Sequence, residues 1–421
     1  MPPRALIIIE NAPFALDARV RPEAQALRTA GWDVAVICPA DQGAEESVES
    51  QDVRVIPYPK PPELPGAVGY AVEYCWSLAW ILARTARVAR SGVDVVQYCN
   101  PPDVLFVAGW LARLLAGCAL VFDHHDLSPE LFAVKFGERA ALQAVLRLLE
   151  RLSFAAADVV LSTNESYGAL AVARGHVRPE DVFVVRNGPG EELLPTATGL
   201  GPGPELRQAR TYTVGYVGMM GEQDGIDLLV RAAHHVVRTA HRDDIGFVVI
   251  GDGPVLPAAR RLAEDLGVAG HIDFTGIIRG SAMYAALAQA DVCLAPDPKS
   301  PYGDKSTMIK IMEYMALGKP VVQFDLVEGR QSAGEAAAYA TENDSRELAQ
   351  LIVSLVDDPE RRERMGAIGR ERVREQLAWR HQAPRLLEAY STALRVARAR
   401  RARLDAGEGI RALLAGRFTR L

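Results

Sequence analysis

The sequence lacks the residues that staple a small or metal-dependent fold. Its five cysteines, Cys38, Cys75, Cys99, Cys118 and Cys293, are scattered, and no two form a Cys-x-x-Cys pair. Four lie in or beside apolar runs, so they read as reduced core thiols of a cytoplasmic protein, not as a disulfide frame or zinc site. Positive charge in excess is also lacking. The net charge of −6 gives no general attraction to nucleic acid. A signal peptide is not expected, because Met1-Pro-Pro-Arg-Ala-Leu-Ile-Ile-Ile-Glu turns polar at Glu10 and Asn11, as a first buried strand does. No apolar run of membrane length is unbroken. The longest, Val104 to Phe122, is interrupted by Arg113 and Gly117. Length alone would allow a span; the interruptions favour a helix, a tight turn at Gly117 and a strand.

What is present is enough apolar sequence for two cores. The chain has 421 residues, 49% hydrophobic and 24% charged, which is globular and too long for one ordinary domain. Short β-branched runs at Leu6–Ile9, Val34–Cys38, Val53–Pro57, Val95–Tyr98, Ala119–Phe122, Val159–Ser162 and Val182–Val185 alternate with longer amphipathic stretches, notably Arg19–Ala30 and Arg139–Ala156. Apolar strands alternating with helices predict a parallel sheet covered on both faces. Gly188 to Pro204 then holds five glycines and four prolines, a linker composition. A second series follows at Thr213–Val217, Phe247–Ile250, Ile272–Phe274, Val292–Ala295 and Val321–Phe324.

The expected architecture is α/β, with two doubly wound Rossmann-like domains facing across a cleft. Residues 1–188 form the first domain, 189–209 the linker, 210–378 the second domain, and 379–421 a helical tail packing back on the first domain. Ligands of such sheets bind beyond the carboxyl ends of the strands. The tail carries eight arginines from Arg395 to Leu421 against Asp405 and Glu408. It reads as a solvated brace, or as an interfacial helix that brings the arginines with Ile410, Leu413, Leu414, Phe418 and Leu421 to an anionic membrane.

The segment richest in chemistry is Asp304-Lys-Ser-Thr-Met-Ile-Lys-Ile-Met-Glu-Tyr-Met-Ala-Leu-Gly-Lys-Pro-Val-Val. Asp304 or Ser306 suits a helix N-cap, and Gly318 and Pro320 end the helix. Free amides with the hydroxyls of Ser306 and Thr307 make an anion site there. Lys310 and Glu313 share one helix face; alone they read as an exposed ion pair, but on a helix opening into a cleft they suit a diphosphate and a ribose. Asp123-His-His-Asp follows an expected strand, so His125 and Asp126 sit at its carboxyl end. The paired histidines hint at a metal, but no further ligands lie near in sequence and none is expected. After the first strand, Asp17, Arg19 and Arg21 either meet an acceptor or consist of a helix cap and solvated arginines. Gly251-Asp-Gly-Pro, with Gly251 and Gly253, is a strand-to-helix turn that lets backbone approach a ligand.

Together these segments resemble the retaining glycosyltransferases of family 4, which have the GT-B fold. The resemblance spans nearly the whole chain and includes Asp17-Ala-Arg-Val-Arg-Pro-Glu, Asp123-His-His-Asp-Leu-Ser-Pro-Glu-Leu and Val185-Arg-Asn-Gly. It continues in Gly215-Tyr-Val-Gly-Met-Met-Gly-Glu-Gln-Asp-Gly-Ile-Asp, Val249-Ile-Gly-Asp-Gly-Pro and Phe274-Thr-Gly. It implies transfer of a sugar from a nucleotide-diphosphate donor to an acceptor hydroxyl, with retention and with neither cofactor nor metal, residues 1–188 forming the acceptor-side domain and 210–378 the nucleotide-sugar-binding domain. The implied partners are the nucleotide-sugar and a glycan or lipid-linked acceptor of polysaccharide or glycolipid assembly, with the enzyme cytoplasmic or peripheral on the inner membrane face. It further implies that His125 touches the donor sugar or its phosphate and that Ile277 and Ile278 meet the nucleobase through backbone groups.

Three positions depart from the family pattern. Lys305 stands where members commonly have a glutamate, with Asp304 adjacent. Met219, after Gly218, and Asp224 stand where members commonly carry an arginine and a lysine that clamp the diphosphate. Lys305 and Lys310 are the available replacements. Two other readings keep the fold: a nucleotide-sugar 2-epimerase, and a non-catalytic sugar-nucleotide-binding partner.

Overall fold

The computed structural model describes residues 1–41, 48–50, 53–62, 66–137, 139–190, 210–341 and 343–409. Most of the expected linker and the tail beyond residue 409, with Ile410, Leu413, Leu414, Phe418 and Leu421, lie outside the described residues. The chain divides into two compact units. One holds 1–133, 138–187 and 382–421; the other holds 134–137 and 188–381.

The first unit contains β1 (Arg4–Ile8), α1 (Val20–Thr29), β2 (Asp33–Pro39), β3 (Val48–Ser50), β4 (Val53–Tyr58), α2 (Gly66–Arg90), β5 (Val95–Cys99) and α3 (Phe106–Ala116). It continues with β6 (Ala119–His124), α4 (Ser128–Phe136, whose last residues fall in the second unit), α5 (Ala140–Ala156), β7 (Val159–Ser162), α6 (Glu165–Ala173) and β8 (Val182–Val184). The second contains β9 (Tyr212–Val217), α7 (Ile226–His234), β10 (Ile245–Ile250), α8 (Leu256–Asp265), β11 (Ile272–Gly276), α9 (Ser281–Ala288) and β12 (Val292–Ala295). It is completed by α10 (Ile309–Ala316), β13 (Val321–Phe324), α11 (Val327–Ala333), β14 (Ala337–Ala340), α12 (Ser345–Val356) and α13 (Pro359–Arg372). The last helix, α14 (Trp379–Asp405), belongs to the first unit from Gln382 onward.

The sheet orders are β3-β4-β2-β1-β5-β6-β7-β8 and β11-β10-β9-β12-β13-β14. Every pairing is parallel except the short β3–β4 ladder. Strand order reverses beside β1 in one sheet and beside β9 in the other, the places where doubly wound sheets open a crevice. The second sheet is buried on both faces. Phe247 and Val249 of β10 enter one apolar core while Val248 and Ile250 enter the other, as the two-residue period of a strand requires. Two strands had escaped the sequence reading. Ala337–Ala340 carries no β-branched residue, and Val48–Ser50 is an edge ladder of three residues.

The run from Val104 to Phe122 resolves as α3, a left-handed cap at Gly117 (φ 63°) and β6. Among the described residues, no helix is long and apolar enough to cross a membrane. The described part of the tail packs one face into the first unit and keeps the other exposed. Leu386, Ala389, Tyr390, Ala393 and Ala397 are fully buried. Arg400 donates to Asp158 Oδ1 at 2.7 Å and to the Cys118 carbonyl at 2.6 Å, and Arg401 bonds Asp94 Oδ1 at 2.5 Å. These arginines close the amino ends of β5, β6 and β7, where strand backbone would otherwise lack partners.

Candidate functional site

Each unit gathers polar side chains at its own strand-order reversal. In the first, Asp123 near the end of β6 accepts a two-pronged bond from Arg19, with Nε to Oδ2 at 2.9 Å and Nη2 to Oδ1 at 2.7 Å. The other Asp123 contact is His125 Nδ1, 3.0 Å from Oδ2. Arg19 Nη1 donates to the Val185 carbonyl and to Asn187 Oδ1, at 2.9 and 2.7 Å. Burial alone would push the Asp123 carboxyl up, but Arg19 and His125 outweigh it and hold it well below the usual range. Burial likewise disfavours the His125 imidazolium; Asp123 prevails and raises its pKa. The Asp123 bond engages Nδ1 of His125 and leaves Nε2 as the ring nitrogen for a ligand.

The loop is fixed from β5. Asn100 Oδ1 accepts the amides of His125 and Asp126 at 2.9 and 3.1 Å, and its Nδ2 donates to the Asp126 carbonyl at 2.8 Å. Asp126 Oδ1 accepts the Leu127 amide. The histidine pair separates. His124 is fully buried among Phe122, Phe154 and Tyr167, whereas His125 keeps an exposed edge. A ligand atom each from Cys99, Asp123 and His125 lies within 4.8 Å of the others, a metal-like grouping that sequence spacing did not reveal. The Arg19 guanidinium already bonds both Asp123 oxygens, which disfavours a second cation there.

The structure corrects the acceptor-side expectation for Arg19, whose guanidinium is buried and fully engaged, neither solvated nor open to an acceptor. Asp17 accepts the Arg19 and Val20 amides at 2.9 and 2.7 Å, capping the start of α1. Arg21 is exposed and reaches the Ala15 carbonyl. Behind Arg19 runs a buried polar chain. Glu23 lies 3.3 Å from Arg19 Nη2, accepts from Gln97 Nε2 at 2.8 Å, and Gln97 Oε1 accepts the Tyr390 hydroxyl of α14 at 2.7 Å. Burial pushes the Glu23 carboxyl up against the pull of Arg19.

In the second unit Lys310 is the central group. It is buried, with Nζ 2.8 Å from Asp297 Oδ1, 3.8 Å from Asp224 Oδ1 and 4.8 Å from the centre of the Tyr216 ring. The exposed-pair reading of Lys310 therefore fails. Burial opposes its charge, but Asp297, Tyr216 and Asp224 raise its pKa and keep it cationic. Burial pushes the Asp224 carboxyl up to about 6, with Lys310 pulling the other way and Asp297 adding to the rise. A Cβ on Gly218 would lie 3.7 Å from Lys310 Nζ, and one on Gly251, at φ +136°, would strike the Gly218 carbonyl at 1.9 Å. The glycines thus let the ends of β9 and β10 close together beside the cation. Gly253 packs on Met220 in the same way.

Glu313, half-buried on α10, accepts the Tyr284 hydroxyl at 3.1 Å, and burial raises its carboxyl pKa. The expected capping is corrected. Gly303–Lys305 is a single 3₁₀ turn, α10 begins only at Ile309, and no side chain caps it. Asp304 Oδ1 instead accepts the Val327 amide at the start of α11, and Ser306 Oγ donates to the Tyr302 carbonyl. The dipeptide before α10 ends in Met308 with extended φ and ψ, so Thr307 precedes the helix rather than opening it. Lys305 Nζ contacts the Pro301 carbonyl at 3.3 Å. Ile277 is exposed after β11, and Ile278 is partly buried. Asn100, Asp123, Asp297 and Tyr284 were not among the sequence candidates. Only Asp123 had a signal, as first residue of its His-His-Asp motif.

Comparison with known proteins agrees in both halves. Residues 16–188 match the family model described as a glycosyl transferase 4-like domain, and residues 211–358 the one described as glycosyl transferases group 1. A GDP-mannose-dependent alpha-(1-6)-phosphatidylinositol monomannoside mannosyltransferase of Mycolicibacterium smegmatis is 31% identical over 349 residues, covering 72% of this chain and 86% of that protein. A phosphatidyl-myo-inositol mannosyltransferase of Mycobacterium leprae is 28% identical over 388 residues, covering 91% and 94%. Among solved structures, a sucrose-phosphate synthase from Thermosynechococcus elongatus superposes with a TM-score of 0.75 at 21% identity, covering 92% of this chain and 98% of that one. Anabaena HepE in complex with UDP gives 0.68 at 16% identity, covering 92% and 100%.

Proposed function

The chain belongs to the glycosyltransferases of the group 1 and 4-like families and has the GT-B fold, and from that premise we propose that it moves a sugar from a nucleoside-diphosphate donor to an acceptor hydroxyl with retention. The observation that carries this reading is the position of Lys310. Its Nζ stands at the strand-order reversal of the second unit, beside Asp224 and against Gly218. The resemblance expects a lysine at position 224. Here α10 delivers the cation to that neighbourhood, so the clamp has changed element rather than vanished.

In this reading Lys310 offsets the charge that grows on the leaving diphosphate, the kind of preorganised electrostatics that carries most transfer catalysis. Asp297 fixes the ammonium in place. Lys305 and the backbone around Ser306 and Thr307 add further contacts, Glu313 takes the ribose hydroxyls, and the backbone at Ile277 and Ile278 meets the base. His125 and Asp126 are assigned to the sugar. The acceptor attacks on the face the diphosphate leaves, and the departing phosphate oxygen takes the acceptor proton.

Several relatives are mannosyltransferases whose names carry phosphatidylinositol glycolipids. That supports a lipid-linked acceptor and makes GDP-mannose the first donor to try. The test is a thermal-shift panel of nucleotides and nucleotide-sugars, followed by product analysis with phosphatidylinositol-type acceptors. A stabilising donor whose nucleoside diphosphate is released only with acceptor supports the proposal. Interconversion of two nucleotide-sugars without acceptor would replace it with an epimerase. Absence of any donor-dependent release would leave a binding protein.

A further inference from the structure

The loop that carries His125 and Asp126 lies just past the sheet. The β5–β6 ladder ends at the pair Cys99 and Asp123, and β6 itself stops at His124. The Asn100 amide still reaches the Asp123 carbonyl at 3.2 Å. After Asn100 the chain leaving β5 runs Pro101-Pro102, which has no N–H to donate. The amides of His125 and Asp126 and the Asp126 carbonyl therefore need partners other than a strand.

The Asn100 side chain serves all three, standing in for a peptide group. Its orientation follows from the donors around it. Two amide N–H groups face Oδ1, so Nδ2 turns to acceptors, the Asp126 carbonyl at 2.8 Å and Asp103 Oδ1 at 3.1 Å. Both Asn100 and Asp103 are buried, where an unmade bond is costly. Asp103 is anchored in turn. Its carbonyl accepts Ser153 Oγ of α5 at 2.9 Å, and the Ser153 carbonyl accepts the Tyr98 hydroxyl of β5 at 2.6 Å. Asparagine suits position 100 for a chemical reason. An aspartate would set an oxygen against the Asp126 carbonyl and the Asp103 carboxylate, and an apolar residue would leave both loop amides unbonded.

We propose that Asn100 is a positioning residue for sugar transfer and that Asp103 orients it. Their bonds hold the main chain of His125 and Asp126, and so set where His125 Nε2 and the Asp126 carboxylate stand toward the donor sugar. The inference rests on the transferase reading, in which those two side chains are assigned to the sugar and the diphosphate to the second unit. Disturbing Asn100 therefore costs turnover and the sugar's share of donor affinity, and spares the nucleoside diphosphate. Groups misplaced by about 1 Å lose up to about a hundredfold in rate.

The experiment compares wild type with Asn100→Asp, Asp103→Asn, the double variant and Asp103→Leu. Turnover is measured with GDP-mannose and detergent-dispersed phosphatidylinositol, and calorimetry gives the affinities of GDP-mannose and GDP. Asn100→Asp should lose at least about tenfold in kcat, together with most of the affinity ratio of GDP-mannose to GDP, while GDP affinity stays unchanged. Asp103→Asn should remain within about twofold, because its amide oxygen still accepts from Asn100. The double variant should regain part of the loss, because the new amide at position 103 donates to the new carboxylate at position 100. Asp103→Leu removes the orienting oxygen without adding charge. It should show the same pattern as Asn100→Asp at smaller size, and it carries the test where Asn100→Asp does not fold. A lowered melting temperature with unchanged kcat and affinity ratio would make the role merely structural and overturn the proposal. So would a double variant no better than Asn100→Asp. Wild-type protein without acceptor-dependent release of GDP would sink the transferase reading first, and this inference with it.

Discussion

Arg19 and Asp123, 104 residues apart in sequence, form a buried two-pronged ion pair whose carboxylate also holds His125. A paired, buried charge is costly to orphan, by about 3–5 kcal/mol when one partner is removed. Asp123→Asn should therefore lower the melting temperature markedly and release the imidazole. Chemical denaturation and NMR titration of His125 check both effects; an unchanged His125 titration would show that another group sets its charge.

The pH dependence follows from the same pair. The raised His125 pKa contributes stability that is complete below its unfolded value, near 6.5, and is lost as pH rises through the folded value. The depressed Asp123 pKa contributes stability present above the unfolded value, near 3.9, and lost as pH falls through the folded one. Wild-type stability should thus decline as pH rises above the unfolded value of about 6.5 more than in His125→Gln, as denaturation at several pH values would measure.

Lys310→Val should weaken nucleoside diphosphate much more than free nucleoside, by roughly 1.5–3 kcal/mol for a charge-assisted bond. Adding Asp224→Lys to that variant should restore much of the diphosphate affinity, because the cation then returns from the neighbouring loop. Calorimetry of the three proteins decides it. Equal loss of nucleoside and diphosphate in Lys310→Val would remove the lysine from the phosphate.

Asp224, with its carboxyl pushed up to about 6, loses negative charge as pH falls through that value. Diphosphate affinity should rise between neutral and mildly acidic pH, and Asp224→Asn should flatten that dependence. A steep dependence surviving in Asp224→Asn would point to the ligand's own ionisation.

Glu313→Ala should abolish most turnover, with only a small change in melting temperature because the carboxylate is half-buried and is held by the Tyr284 hydroxyl. Tyr284→Phe should produce a milder loss, chiefly in KM, as Glu313 loses the hydroxyl that orients it. Full activity in purified Glu313→Ala would separate this residue from the donor site.

Activity should survive EDTA, since the diphosphate is assigned to lysines and amides. Loss of turnover restored by one divalent ion would shift attention to Cys99, Asp123 and His125, which lie close enough to share a ligand.

Much of this is legible in the sequence. β7, β12 and β13 begin and end where their apolar runs do, and α3 stops at Gly117, because burial period and turn chemistry act between near neighbours. The sites were legible only as residue types. Read alone, Lys310 suggests an exposed pair with Glu313, and Asp304 or Ser306 a cap for the same helix, whereas Lys310 is buried against Asp297 and Asp304 caps α11. By itself the sequence determined two α/β units, their strand runs and the motifs at the strand ends. Tertiary structure alone decided that Arg19 serves Asp123 and not an acceptor, that Lys310 reaches Asp224, and that Tyr390 bonds Gln97 across 293 residues. The reason is that a charge or hydroxyl bonds whatever lies within about 3 Å, and that distance is set by strand order and helix packing, which no local pattern of side chains specifies.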